Sequence, residues 1–310
     1  MKLIISNSPH LRSTINTSWV MRQVIFALLP AVIASVILFK YRAIFLILNC
    51  VLTAVITESI ILRMRRKPSA IKDFSAALTG LLLALILPPS TAWYAASLGS
   101  IFAILVGKQI FGGLGSNIFN PALIARAFLA AAYPKMLTTF IKPYSLDAVT
   151  AATPLALRKF SAHLSSSPTI DLFWGNTAGS LGETSAICLI VGGVYLLARK
   201  IADWRIPLSL LCATLIISSI FYFANHSNGS FLFHLFSGGL LLGAFFMATD
   251  PVTTPMTKKG RYVFGVGCAI LIMITRYFSG LPEGVMYAIL FMNAATPLIN
   301  RLTRPRRFGE

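Results

Sequence analysis

The feature that most limits what this chain can fold into is a series of apolar runs. Each is roughly 15–20 residues long, about the length a helix needs to cross a bilayer. Ten candidate segments can be read: Met21–Phe39, Ile44–Leu62, Phe74–Leu87, Trp93–Val106, Phe119–Ala132, Glu183–Ala198, Ile206–Ala224, Phe231–Ala248, Tyr262–Tyr277 and Val285–Ile299. Composition agrees. The chain is 56% hydrophobic and 12% charged, with a mean hydropathy of +0.77. A soluble domain carries about 25% charged residues, so this chain has too few charges to cover a surface in water. The first run, Val24 to Phe39, follows a polar stretch without a small-residue cleavage site behind it, and reads as a retained span.

The net charge of +18 invites a nucleic-acid reading, but its distribution opposes one. The cations cluster between apolar runs, as in Arg63, Arg65, Arg66 and Lys67, then Lys258, Lys259 and Arg261, then Arg301, Arg304, Arg306 and Arg307. Multi-span proteins mark their cytoplasmic loops in this way. Counted over alternate connections, one side holds nineteen Lys and Arg and the other seven, with Arg126 inside a span. The expectation is an all-α integral membrane protein with both termini cytoplasmic and no nucleic-acid partner. The long connection from Tyr133 to Gly182 should then face outward.

A weak internal repeat suggests the domain plan. Gly80-Leu-Leu-Leu-Ala-Leu-Ile-Leu-Pro88 is echoed by the run from Gly239 to Asp250-Pro251, and Asn120-Pro-Ala-Leu-Ile-Ala-Arg126 by Thr296-Pro-Leu-Ile-Asn-Arg301. Five spans per copy would force the two copies into opposite orientation, a design common among transporters. The expected plan is a cytoplasmic N-terminal segment (1–20), a first five-helix repeat (21–132) and an outward connection (133–182). A second five-helix repeat (183–299) and a basic tail (300–310) complete it. Pro88 and Asp250-Pro251 should end helices where they stand. Some helices would then be discontinuous, exposing helix ends at depth.

Residues suited to chemistry are scarce. Cys50, Cys188, Cys212 and Cys268 lie in apolar runs without a metal-ligand spacing, and read as packing residues. His10, His163, His226 and His234 form no metal pair. Gly112-Gly-Leu-Gly115 lacks the strand and spacing of a phosphate loop and reads as a flexible loop. Asn117 and Asn120 sit three apart before a helix start, where Asn120 followed by Pro121 also fits a plain helix cap. Arg126 lies deeper in its span and needs a partner, for which Glu58 is the candidate. In the outward connection, Thr150 and Thr153 would share a face on one helical turn. A cap followed by the Pro154 stop explains Thr153 equally well.

That connection carries a resemblance. Asp147-Ala-Val-Thr150-Ala-Ala-Thr153-Pro154-Leu155 is similar to the D-x-x-S/T-G-A-T-x-L flavinylation motif. The motif is found in the NqrB/RnfD family of flavinylated membrane subunits, which belong to Nqr and Rnf complexes. Ser8-Pro9-His10-Leu-Arg12, Gly80–Pro89, Asn117–Arg126 and Ala248-Thr-Asp250-Pro-Val-Thr-Thr254-Pro resemble the same family, so the likeness spans nearly the whole chain. It implies that Asp147 is the motif acid, Thr150 its first hydroxyl and Thr153 the residue bearing FMN through a phosphodiester bond. Ala151 stands where the family carries glycine, which adds one methyl and tests whether the modifying enzyme needs that space.

The resemblance also implies a non-covalent riboflavin near Asn117 and Asn120, on the cytoplasmic side. It implies partners that carry iron–sulfur clusters, a flavin and an NAD site, and a flavin transferase for maturation. The function implied is electron transfer within a ferredoxin:NAD oxidoreductase that moves Na⁺ or H⁺ across a bacterial or archaeal cytoplasmic membrane. Chain length favours the Rnf branch, with the corresponding component of an Nqr-type NADH:quinone reductase as the alternative. An autonomous inverted-repeat solute transporter without flavin is the alternative from another class.

Overall fold

The computed structural model describes residues 16–66, 71–141, 143, 150–151, 153–160, 169–224, 230–280 and 283–305. Asp147 lies outside them, as do Ser8–Arg12, His10, His163 and His226. The first half contains α1 (Thr17–Phe39), α2 (Tyr41–Met64), α3 (Ser75–Ile86), α4 (Trp93–Ile104) and α5 (Pro121–Ala132). A π-helical turn, Leu105–Gln109, continues α4. The connection holds α6 (Pro134–Thr138), an antiparallel pair of β1 (Phe140–Ile141) with β2 (Thr150–Ala151), α7 (Pro154–Phe160) and α8 (Thr169–Trp174). The second half contains α9 (Ala186–Ala198), α10 (Arg205–Phe223), α11 (Phe231–Phe236), α12 (Leu240–Leu242), α13 (Lys258–Phe278) and α14 (Val285–Leu302). A second π turn, Gly243–Met247, continues α12.

The helices wear their large apolar residues outside. On α2, Phe45, Leu48, Leu52, Ile56 and Ile60 form an exposed stripe, while Ala43, Leu46, Cys50 and Ala54 are buried. In water such a stripe would be a liability. In lipid it is the solvated face, and the small residues let backbones approach. Two glycines show how closely. A Cβ on Gly80 of α3 would stand 2.6 Å from the Cys50 carbonyl oxygen of α2, and one on Gly192 of α9 would collide with the Ala27 carbonyl of α1. Among the described residues, α1, α2, α10 and α13 are long and apolar enough to span a membrane. The chain is thus an all-helical membrane protein.

The two halves share a packing scheme. In the first, α2 packs on α3 and α4, and α4 packs on α5. In the second, α10 packs on α11 and α13, and α13 packs on α14. Helices α1 and α9 join the halves.

The centre is built from short pieces. At 1.5 Å per residue, α3 and α5 are each about 18 Å long, well under the ~30 Å hydrocarbon core. Helix α3 stops at Ile86, ahead of Pro88 as its sequence predicts. The segment 175–185 then folds inward beside it, with Leu181, Gly182 and Ser180 buried. Its backbone is satisfied by the end of α3, where Leu181 N–H donates to Leu87 O at 3.1 Å and Gly182 N–H to Leu85 O at 2.7 Å. Irregular backbone persists at membrane depth only where protein groups complete it in this way.

The run Phe231–Ala248, read from sequence as one span, is broken. Ser237 ends α11, and Gly238 and Gly239, both at φ +66°, turn the chain before α12. Glycine adopts this left-handed conformation without the Cβ penalty. Two arginine contacts finish the break: Arg276 of α13 donates to His234 O at 2.5 Å and to Ser237 O at 2.7 Å.

Candidate functional site

Two clefts open within the helical core. The first is lined by Asn117 and Asn120 and by Val20, Val24, Leu82, Lys108, Phe246, Thr249 and Asp250 among others, and is narrow, with a cavity volume of about 80 Å³. Asn120 has two tasks. Its Oδ1 accepts from Ala122 N–H at 3.0 Å and from Leu123 N–H at 3.4 Å, and Pro121 occupies the first helical position of α5. The capping reading therefore holds. Its carbonyl is spent on the backbone, while the rest of the side chain still borders the cleft. Asn117 donates to Phe119 O at 3.1 Å. Asp250, which follows the second π turn, accepts from Val252 N–H at 3.2 Å and lines the same wall. The glycine loop beside this cleft is a turn, with Gly112, Gly113 and Gly115 all at positive φ.

The floor of this cleft holds an enclosed ion pair. Lys108, on the π turn, donates to Glu58 Oε1 at 2.5 Å and to Ser75 Oγ at 2.5 Å. Gln109 Nε2 adds a third contact, to Glu58 Oε1 at 3.1 Å. Both charged side chains are 3% exposed. This corrects the expectation that Glu58 partners Arg126. Lys108, one of the nineteen cations counted in the connections, lies inside the fold instead. The π turn widens the helix by one residue and draws Lys108 inside, which hydropathy does not register.

The second cleft contains Thr153. It is lined by Ile86, Leu123, Arg126, Phe140, Thr153, Glu183, Gly238, Gly239, Met247, Glu283 and Met286 among others, and has a cavity volume of about 390 Å³. Thr153 is buried and caps α7: its Oγ1 accepts from Ala156 N–H at 3.3 Å, and its carbonyl accepts from Leu157 N–H at 2.9 Å. Pro154 takes the first helical position. Thr150 instead pairs in β2 with Ile141, so the two threonines do not share a helical turn. A strand followed by a cap points Thr153 into the core, and the space beside it suits a planar ligand of flavin size.

Across that space stands an ionic cluster. Arg126 Nη1 lies 3.4 Å from Glu183 Oε1, and Nη2 lies 2.8 Å from Glu283 Oε2. The arginine comes from α5, one glutamate from the inward fold before α9, the other from the turn before α14. Sequence reading missed both glutamates as partners. The available signal was two acids at segment edges, beside one cation inside a span, in a chain poor in charge.

The clefts share walls. On α3, Leu82 borders the first and Ile86 the second. On the second π turn, the adjacent residues Phe246 and Met247 border the first and the second. Fold and site together define a polytopic helical membrane protein with two polar clefts set back to back in its core.

The chain belongs to the NQR2, RnfD, RnfE family, whose model matches residues 4–309. A relative from Acetobacterium woodii, named as part of a Na⁺-translocating ferredoxin:NAD⁺ oxidoreductase complex, is 44% identical over 100% of this chain and 96% of its own length. One from Clostridium ljungdahlii, named as part of a proton-translocating ferredoxin:NAD⁺ oxidoreductase complex, is 43% identical over 98% of this chain and 96% of its own. A third, from Stutzerimonas stutzeri and named as part of an ion-translocating oxidoreductase complex, is 39% identical over 94% of this chain and 92% of its own. All three names give the same member of the complex, the D component.

Proposed function

We propose that this chain is the FMN-carrying membrane subunit of an ion-translocating ferredoxin:NAD oxidoreductase complex of the Rnf type. The observation that carries the reading is the placement of Thr153. The last hydroxyl of the flavinylation-like motif lines a cleft roomy enough for a flavin, at a helix cap that fixes its position. The names of its relatives support the complex and the redox reaction. Two relatives of nearly equal identity are named for different ions, so likeness does not select Na⁺ or H⁺.

When bound, the flavin supplies exchange of one or two electrons. The chain's own residues supply the rest. Thr153 tethers the phosphate, α7 and the β1–β2 pair hold the tether, and the apolar walls of Leu137, Phe140 and Met286 keep water from the ring. A non-covalent riboflavin in the first cleft completes the pair, with the Asn117 amide and the Asn120 Nδ2 as donors and Asp250 as acceptor. In this reading Asp147 and Thr150 serve the flavin transferase that installs the FMN. The halves are inverted copies, both termini are cytoplasmic, and the Thr153 cleft opens outward. Partner subunits with iron–sulfur clusters, flavin and an NAD site complete the reaction, because the described residues of this chain hold no cluster of metal ligands.

The test is peptide mass spectrometry of the Thr153 segment from protein isolated from its native membrane. The expected result is a mass raised by one FMN moiety, with a fluorescent band on a denaturing gel. Thr153→Val removes both. An unmodified wild-type peptide rejects the reading.

A further inference from the structure

The second cleft bears an unequal set of charges. Its described lining has one cation, Arg126, and two anions, Glu183 and Glu283. Each terminal nitrogen of Arg126 is committed to a different carboxylate, on segments at opposite flanks of the cleft. The guanidinium is thereby held like a strut and cannot swing away. Glu183 has space made for it: a Cβ on Gly239 would stand 2.5 Å from its Oε1. Among the described residues, Glu283 Oε1 is buried without a hydrogen-bond donor. The next guanidinium, Arg276, is turned toward the carbonyls of His234 and Ser237 and does not line the cleft. One carboxylate would neutralise Arg126. The second shares the field of Arg276, whose Nη2 would stand 3.0 Å from a Cβ on Gly238, with Glu283 Cγ 3.7 Å from the same point.

We propose that this cluster sets the reduction potential of the flavin on Thr153, with Arg126 raising it and Glu183 and Glu283 lowering it. The proposal rests on the reading that Thr153 carries FMN. Reduction adds negative charge to the flavin ring. In a partly buried cleft a fixed charge acts on that change with far more strength than it would in water. A nearby cation favours the reduced form, and a nearby anion disfavours it. Charges of both signs therefore act on one flavin, and removing either sign moves its potential in a defined direction. The cluster makes and breaks no bond; it acts through its field and through the rigidity of the double ion pair.

The experiment is an optical redox titration of the purified complex at fixed pH, after in-gel fluorescence has shown the flavin to be attached. Glu183→Gln and Glu283→Gln should each raise the midpoint potential. A tenfold change in the reduction equilibrium corresponds to about 30 mV for a two-electron couple, and a shift of that order is expected. Arg126→Gln should lower the potential, while Arg126→Lys, which keeps the charge, should stay close to wild type.

Opposite signs are the signature, since mere loosening of the site would move all variants the same way. Should Arg126→Gln fail to accumulate, the two glutamate variants decide the matter, because each leaves Arg126 one partner. Unchanged potentials, or shifts of one sign, with the fluorescent band intact overturn the proposal. A wild-type protein without the band overturns the underlying reading of Thr153 instead.

Discussion

The first cleft has its ion pair sealed beneath it, and the second has its ionic cluster in the wall. Lys108 and Glu58 match one to one, are 3% exposed each, and are supported by Ser75 and Gln109. Arg126 is shared between Glu183 and Glu283, and the three side chains retain 13%, 6% and 16% exposure. The first arrangement resembles what a fold needs when it must bury charge, pairing and neutrality, although among the described residues only Glu58 Oε1 is contacted and Oε2 has no donor. The second keeps charged groups in the wall of a cleft, where a ligand would feel them. The difference separates a structural device from a functional one within the same core.

Stability measurements can break that comparison. Lys108→Met strands Glu58 in a dry site and should cost about 3–5 kcal/mol, the usual penalty for removing one partner of a buried pair. The readout is thermal unfolding in detergent together with yield in the membrane. Adding Glu58→Met should recover most of the loss. If the double variant is no better than the single, the pair is not the isolated structural unit described.

Arg126→Gln should be milder, about 1–3 kcal/mol, because the glutamine amide can still donate to one carboxylate and Arg126 and Glu283 are more exposed than Lys108 and Glu58. A larger loss than for Lys108→Met would reverse the assignment of roles. Asn120→Ala should cost about 1 kcal/mol through the lost cap of α5, and should also deplete extractable non-covalent flavin. Asn117→Ala should deplete the flavin with little change in melting temperature.

The smallest effect belongs to a third ionic group, outside the spans. Asp203 accepts from Arg205 N–H at 2.9 Å and from Arg205 Nη1 at 2.9 Å, and pairs with Arg261. Partial burial alone would raise its carboxyl. The Arg205 amide and the two guanidinium groups outweigh that and hold it below the ordinary carboxylate range. A depressed folded-state value means the contribution is present above the unfolded value and fades as pH falls through the folded one. Melting temperature should therefore decline on the acid side of the ordinary Asp range. Asp203→Asn should flatten that decline slightly, because the neutral amide no longer titrates while the partly exposed site leaves the ion pairs a small contribution.

Much of this was legible in the chain itself. The apolar runs located the helices to within a few residues, and Pro88 ended α3 as read. Asn120-Pro121 marked a true cap. Three things were hidden, each for a physical reason. The π turn at Leu105–Gln109 adds a residue per turn without changing hydropathy, so Lys108 looked like a loop cation. The inward fold 175–185 returns Glu183 to membrane depth although it sits beside a loop in sequence, so Arg126 was matched to the wrong acid. The break at Ser237–Gly239 interrupts a run whose apolar count never falls, and only its paired glycines hinted at it. The Asp147 end of the motif lies outside the described residues. Its reading rests on the sequence resemblance.

The wall between the clefts has an electrical consequence. Phe246 and Met247 are neighbours in the chain yet border different clefts, and Leu82 and Ile86 are one helical turn apart. With the clefts opening to opposite sides as proposed, this apolar partition is what separates them. A voltage that elsewhere falls over about 30 Å of hydrocarbon would be concentrated across a few side chains. Each elementary charge crossing it would exchange about 2.3 kcal/mol per 100 mV. Cutting Phe246 or Met247 down to alanine would then act as a short circuit. The membrane would lose its potential through the very protein that helps to build it.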